Sequence, residues 1–399
     1  MPLEGLLSRG ICDCKKVFAG MDPYVEQGCA ATVLNLVVRA WVKGVFVAVL
    51  IAENKSGAMV RIRTATANGL TFQLFAQRDP GGVSGRSSGS CSPRLHSALT
   101  GRRRAGRAPA RPADTVEVVT RSVGLAVSAD GTEIFYVDHA EGADPAKPAF
   151  LLIHGWSASS DSWGAPFIGE LTAAGHRVVA VDNRGHGRSS VPASFTTQDF
   201  ADDVKAVREL LGLDEVILVG WSYGGLVIAD HLATHGTDGV RAVGLIGAIT
   251  SIGGSKENGP FPGGVTGESM NAALPAALSA HPGKAITALA KLRMLPHGFD
   301  QEALGPVAQQ QFGIALSTPP AVRGGLFRRT VDHDADLAAW TFPVLVQHGK
   351  DDEVVAPSTA EHHARILPNA TLSWWDGGGH APFVVDPARS AGELLALRG

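Results

Sequence analysis

From about residue 115 onward the sequence predicts an α/β fold built on a mostly parallel sheet, and three observations carry that expectation. First, short unbroken apolar runs recur: "AFLLIHG", "RVVAVDNRG", "EVILVG", "VRAVGLIGA" and "FPVLVQHG". Runs without polar alternation mark strands buried on both faces, as parallel strands are. Second, helix-length stretches separate them, the clearest being "TQDFADDVKAVRELLGL", which opens at the cap-like Thr197 or Asp199. Third, "VEVVTRSVGLAVS", Asp130-Gly131 and "EIFYVDHA" read as a hairpin leading into the sheet. No internal repeat is present.

The chain ahead of this region is of a different kind. The stretch "RDPGGVSGRSSGSCSPRLHSALTGRRRAGRAPARPAD" is rich in Gly, Ser, Pro and Arg. It has too few large apolar residues to offset chain entropy, so it predicts a disordered basic linker. Residues 31 to 52, "ATVLNLVVRAWVKGVFVAVLIA", have the length of a membrane span but carry Arg39 and Lys43 in the middle. Each would cost about 2.5–3.5 kcal/mol at a bilayer centre, so no stable membrane insertion is expected and strands are favoured. Alternation around Asn68-Gly69 adds a hairpin signal. The expected division is an extension over 1–112 and one domain over 113–399. The composition of the extension also raises the expectation that the native start lies downstream of Met1, which mass spectrometry of the native N-terminus would settle.

Composition narrows the function classes. The chain has 399 residues, 18% of them charged, with a net charge of −3, which gives no overall electrostatic reason to bind nucleic acid. Its four cysteines, Cys12, Cys14, Cys29 and Cys91, all lie in the first quarter. The domain therefore uses neither a disulfide framework nor thiol chemistry. Cys12-x-Cys14 lacks a second pair at ligand spacing, so no metal is expected there. With no export signal recognised, a cytoplasmic location is expected. Oligomeric state is not legible.

In open parallel sheets ligands gather at the carboxyl ends of the strands. The residues there are His154-Gly155-Trp156, the Asp182-to-Gly187 turn, Gly220-Trp221-Ser222-Tyr223-Gly224, His348-to-Asp352, and Gly377-Gly378-Gly379-His380. "GWSYGG" fits the G-x-S-x-G nucleophile elbow, with a strand before it, a helix after it, and an acid and a histidine following in the order Ser…Asp…His. With "HGW", "DNRGHGRS" and "GGGHAPF" in the same order, residues 115 to 399 resemble the α/β-hydrolase superfamily, and in particular its serine esterases and cofactor-free haloperoxidases, or perhydrolases.

The resemblance implies a set of roles. Ser222 would be the nucleophile and His380, in its Gly-rich loop, the base. Asp352, three residues beyond Gly349, would be the acid, preferred over its neighbour Asp351. The backbone N–H groups of Trp156 and Tyr223 would form the oxyanion hole. His154 is expected to hold its loop, and Asp182, Arg184 and His186 to form a structural network. His231 with His235, and His362-His363, read as surface histidines, and the "DHDAD" segment at 332 to 336 as a solvated loop. Neither cofactor nor metal is expected.

Between "GLIGAITS" and "FPVLVQHG" lie helical but Pro- and Gly-broken stretches, which resemble the cap of many α/β-hydrolases, at about 251–338. With Trp156, Trp163, Trp221 and Phe383 on or near the mouth-forming loops, the expected ligand is a small apolar ester. The leading expectation is a metal-free serine hydrolase. Perhydrolysis and carbon–carbon bond hydrolysis would use the same triad, while epoxide hydrolases and haloalkane dehalogenases carry Asp at the elbow. A small-molecule receptor on this fold is the alternative from another class.

Overall fold

The computed structural model describes residues 121–255 and 257–397 with their side chains, and four strands further upstream by backbone. The chain divides into two units, Met1–Pro109 and Ala110–Gly399. In the first, Val33–Val42 pairs antiparallel with Val45–Glu53, and Thr66–Ala67 with Leu70–Thr71. The Asn68-Gly69 turn, all four cysteines, the Arg-rich linker and the "VEVVT" run lie outside the described residues. Among those described, no helix is long and apolar enough to cross a membrane.

The second unit is built on eight strands. They are β1 (Ser122–Val127), β2 (Glu133–His139), β3 (Ala149–Ile153), β4 (Val178–Val181), β5 (Val216–Trp221), β6 (Val240–Ile246), β7 (Val344–Gly349) and β8 (Ala370–Trp375). Their order across the sheet is β1-β2-β4-β3-β5-β6-β7-β8. β2 pairs antiparallel with β1 and β4, and every pairing from β4 to β8 is parallel. Within each apolar run successive side chains point to opposite faces of the sheet without alternating in polarity. Leu151, Ile153 and Leu218 pack on one face with Phe200, Val204 and Leu226, while Phe150, Leu152 and Val219 pack on the other with Phe167, Leu171 and Leu394. Both faces are thus covered by helices, which is why the strands read as continuous hydrophobic runs.

The helices that cover them are α1 (Gly164–Ala173), α2 (Thr197–Leu211) and α3 (Tyr223–His235), followed after the insertion by α8 (Pro357–Ile366) and α9 (Pro387–Leu395). The insertion between β6 and β7 contributes α4 (Glu268–Ala277), α5 (Pro282–Leu289), α6 (Gln301–Ser317) and α7 (Pro320–Phe327). α2 begins one residue earlier than its sequence suggests. Thr196 is the cap and forms a reciprocal box with Asp199, whose carboxylate takes the Thr196 N–H at 2.7 Å. β8 was not among the runs that the sequence makes conspicuous, because it is an edge strand whose "ATLSWW" is only half-buried.

Several polar residues differ from their sequence reading. His231, His362 and His363 are buried rather than on the surface, because α3 and α8 pack with polar partners beneath them. His231 meets the carbonyl of Ala201 at 3.1 Å, His362 the Asp334 carboxylate at 2.8 Å, and His363 the Thr250 hydroxyl at 2.9 Å. "DHDAD" is likewise not simply a solvated loop. It forms a short helix, Asp334–Leu337, and His333 is buried between Asp230 and Asp336 at 2.9 and 2.8 Å. Arg329 clamps the same Asp230 carboxylate with two contacts of 2.7 Å and donates to the Tyr223 hydroxyl at 2.9 Å. Among the described residues no cluster of three His, Cys, Asp or Glu side chains is placed to hold a metal ion.

Burial lowers the pKa of His186 to about 3, of His231 to about 4 and of His363 to about 3. These rings stay neutral in the folded state, whereas an unfolded chain protonates them below about pH 6.5. The unfolded state then binds more protons, so stability falls as pH drops from 7 toward 4. His333 has the opposite sign. Burial would lower its pKa, but hydrogen bonds to Asp230 and then Asp336 outweigh that and raise it, so its contribution is full in acid and lost as pH rises through its folded value. Burial lowers His139, His154 and His348 as well, so among the described histidines six lowered rings against one raised give a Tm expected to decrease steadily between pH 7 and 4. A Tm constant across that range in a calorimetric scan would contradict this reading.

Candidate active site

The site begins where β5 ends. Ser222 has φ 55° and ψ −122°, a conformation that side-chain-bearing residues rarely adopt. Three backbone bonds hold it there: Ser222 N–H to the carbonyl of Ile246 at 3.0 Å, and the N–H groups of Gly225 and Ile249 to the Ser222 carbonyl, each at 3.1 Å. The glycines around it are required by space. A Cβ at residue 224 would lie 2.0 Å from the carbonyl oxygen of Ile153, and one at 220 would lie 2.6 Å from the backbone of Gly224. The strand-to-helix reversal can therefore close only with these residues, and it leaves the Ser222 side chain on a pocket wall.

His380 and Asp352 come from the ends of β8 and β7. His380 Nδ1 lies 2.8 Å from Asp352 Oδ2, with both side chains essentially out of solvent. The other oxygen, Oδ1, accepts the N–H groups of Val354 and Val355 at 2.8 and 3.0 Å. Burial alone would raise the Asp352 pKa. The charge of His380 and its hydrogen bond, joined by His348, outweigh burial and hold the carboxyl below its ordinary value. Asp351 points elsewhere, accepting the Gly379 N–H at 3.0 Å and so steadying the loop that carries His380. Two further groups fix that loop: Trp221 Nε1 donates to the His380 carbonyl at 2.8 Å, and the His380 N–H donates to the carbonyl of Met294 at 3.0 Å.

On the other side lies the loop after β3. Asn183 N–H donates to His154 Nε2 at 2.9 Å, so the ring proton is on Nδ1, which donates to the Gly155 carbonyl at 2.7 Å. Burial keeps His154 neutral by lowering its pKa. A trans peptide sends its C=O and N–H in opposite directions, so anchoring the Gly155 carbonyl turns the Trp156 N–H away from His154. Residue 155 is close to the serine, since a Cβ there would lie 3.2 Å from Ser222 Oγ. Tyr223 opens α3, and its N–H is a first-turn donor without an acceptor inside the helix.

The remaining turn residues support the frame. Asp182 accepts the N–H groups of Ser160 and Arg188 at 2.6 and 2.8 Å, and His186 Nε2 accepts that of Ser157 at 3.2 Å. Arg184, fully buried, grips Asp203 through two nitrogens at 2.7 and 2.6 Å.

Ser222 and His380 line one cavity together with Trp156, Tyr223, Ile249 and Phe327. Among the described residues, no ionisable side chain other than those of His380 and Tyr223 lines it. Of the four aromatics expected near the mouth, Trp156 and Trp221 line the cavity, but Trp163 and Phe383 do not. Those two are buried behind Trp221, with ring centroids 6.3 and 5.2 Å from it, where they brace the wall. Apart from the position of Trp221 inside the elbow, nothing local in the sequence marks Trp221, Asp351 or Met294 as loop anchors. Chemically, an imidazole held by a buried carboxylate, lining the same apolar cavity as a hydroxyl, is suited to proton transfer with little competition from water.

Comparisons with known proteins point to one family. A family profile described as the alpha/beta hydrolase fold matches residues 148–387. A non-heme haloperoxidase of Rhodococcus erythropolis is 32% identical over 277 residues, covering 68% of this chain and 97% of the relative. A bifunctional esterase/perhydrolase of Acinetobacter calcoaceticus is 30% identical, covering 69% of this chain and 99% of the relative. Among solved structures, the esterase RhEst1 from Rhodococcus sp. ECU1013 is 43% identical with a TM-score of 0.64, covering 69% of this chain and 99% of its own. With these matches added to the sheet order and the elbow, the chain belongs to the alpha/beta hydrolase fold family.

Proposed function

We propose that the protein is a metal-free serine hydrolase that cleaves carboxylic esters through an acyl-enzyme on Ser222, His380 and Asp352. The observation that carries this reading is the buried 2.8 Å contact between His380 and Asp352, made by an imidazole that shares its cavity with Ser222. Asp352 accepts the Nδ1 proton, which leaves Nε2 with its lone pair free to take a proton from the serine hydroxyl. Ser222 Oγ attacks the ester carbonyl carbon, and the carbonyl oxygen becomes an oxyanion between the N–H groups of Trp156 and Tyr223. The carbon–oxygen bond to the alcohol then breaks, and His380 gives its proton to the departing oxygen. Water, deprotonated by His380, attacks the acyl carbon and frees Ser222.

A second reading shares every step up to the acyl-enzyme. Relatives at 30–32% identity carry the names haloperoxidase and esterase/perhydrolase. If hydrogen peroxide replaces water in the last step, the product is a peracid, which oxidises bromide. Because the two outcomes differ only in the second nucleophile, one enzyme can support both.

Three measurements test the assignment. Ser222→Ala is expected to lower kcat on p-nitrophenyl acetate by about 10⁶, the loss typical of a serine nucleophile; turnover within tenfold of wild type in a folded variant would refute it. Asp352→Asn is expected to cost about 10⁴ in kcat, since the amide favours the wrong imidazole tautomer. Asp351→Asn, which keeps an acceptor for Gly379, should stay within a few-fold, and equal losses for both would contradict the choice of acid. Peroxide-dependent bromination of monochlorodimedone, assayed beside ester hydrolysis, decides the second reading; no bromination at saturating acetate and peroxide would dismiss it.

A further inference from the structure

The cavity that holds Ser222 is small, about 60 Å³. Sites that enclose a whole small molecule typically offer about 300–1,000 Å³. A second cavity of about 490 Å³ lies under the helical insertion, and Leu292 and Met294 line both. Leu289, Phe299, Val307 and Phe312 of the insertion line the larger one, with Ala381 and Val384 from the segment directly after His380. Its two basic groups are committed elsewhere. Arg293 and His297 both reach Glu353 Oε1 at 2.7 Å. Apart from Gln309 and Gln311, the latter donating to the Ser162 carbonyl at 2.9 Å, the remaining lining residues are apolar.

We infer that this second cavity is the binding chamber for the alcohol portion of the ester, and that the side chains of Leu292 and Met294 form a movable partition between it and the acyl pocket. The inference rests on the serine-ester reading above. Its direction follows from the proton: His380 must reach the departing oxygen, so the group attached to that oxygen extends toward the His380 side, where Ala381 and Val384 form the chamber wall. Met294 suits a partition. The His380 N–H pins its carbonyl at 3.0 Å, which fixes the backbone and leaves the unbranched thioether as the part that can swing. The substrate class is therefore an uncharged ester of a small acid and a medium-sized apolar alcohol.

The test is a series of acetate esters, from ethyl to octyl, followed by titration of released acid with the full-length protein. Each added methylene that enters the chamber is expected to raise kcat/KM by about twofold to fourfold until the space is filled. Met294→Ala should raise the hexyl-to-ethyl ratio of kcat/KM, because the partition is shortened. Ala308→Phe, on α6 and lining the chamber, should lower that ratio severalfold, and Val307→Trp serves the same purpose if the first variant does not fold. A wild-type profile flat along the series, or variants that move every ester equally, would overturn the inference while leaving the serine assignment standing. Ethyl acetate hydrolysis that survives Ser222→Ala would instead overturn the underlying reading, and this inference with it.

Discussion

The backbone of Ser222 is the constraint on which the rest of the molecule depends. A non-glycine residue at φ 55° and ψ −122° costs about 1–3 kcal/mol, and such a conformation persists only where its surroundings over-determine it. Here the surroundings are the three central strands. β6 supplies the carbonyl of Ile246 for the Ser222 N–H, β3 ends with Ile153 against Gly224, and the turn after β6 donates through Ile249. The order β3-β5-β6 in the sheet is thus also the scaffold of the elbow. Without the glycines the helix could not start so close to β3, and the hydroxyl would not reach the cavity.

A second layer of ties brings the imidazole, across a long stretch of chain, to the cavity that Ser222 also lines. Trp221, adjacent to Ser222, holds the carbonyl of a residue 159 positions later. The same residue donates its N–H to Met294 in the insertion, while Asp351 steadies its neighbour Gly379. The loop is therefore positioned by the elbow, by the insertion and by β7 together. On the far side of the elbow, Arg329 and His333, where the insertion returns to the core, converge on the buried Asp230 of α3. Breaking one member of such a buried charged cluster leaves the others uncompensated, which costs more than the contact itself contributes. The insertion is consequently tied at its middle, through Met294, and at its return to the core, through Arg329 and His333, to the elements that present His380 and Ser222.

How much was legible in the sequence follows from where the partners lie. The elbow was readable because its requirements are local: an apolar strand, two glycines, a serine and a helix within one short stretch. The preference for Asp352 over Asp351 came from a resemblance, and the geometry places the two carboxylates on different partners. What could not be read are residues whose role depends on distant chain. His231, His362, His363 and His333 look like surface or loop residues because the carboxylate, hydroxyl and carbonyl groups that allow their burial lie far away along the chain or on another element. Trp163 and Phe383 have the composition of a pocket wall, yet they brace Trp221 from behind. β8 has the half-buried pattern of an edge, which carries a weaker signal than the central runs. Leu292 and Met294 lie in a stretch that reads only as apolar helix.

The central claim is that one side chain, Ser222, becomes an unusually strong nucleophile because His380 and Asp352 activate it. The most direct measurement is covalent labelling with a fluorophosphonate, followed by peptide mass spectrometry, on the wild-type protein and on His380→Ala. An activated Ser222 takes one phosphonyl group per chain in the wild type, and the variant is expected to label several orders of magnitude more slowly. Label found on another residue, or equal rates on Ser222 in both proteins, would contradict that activation.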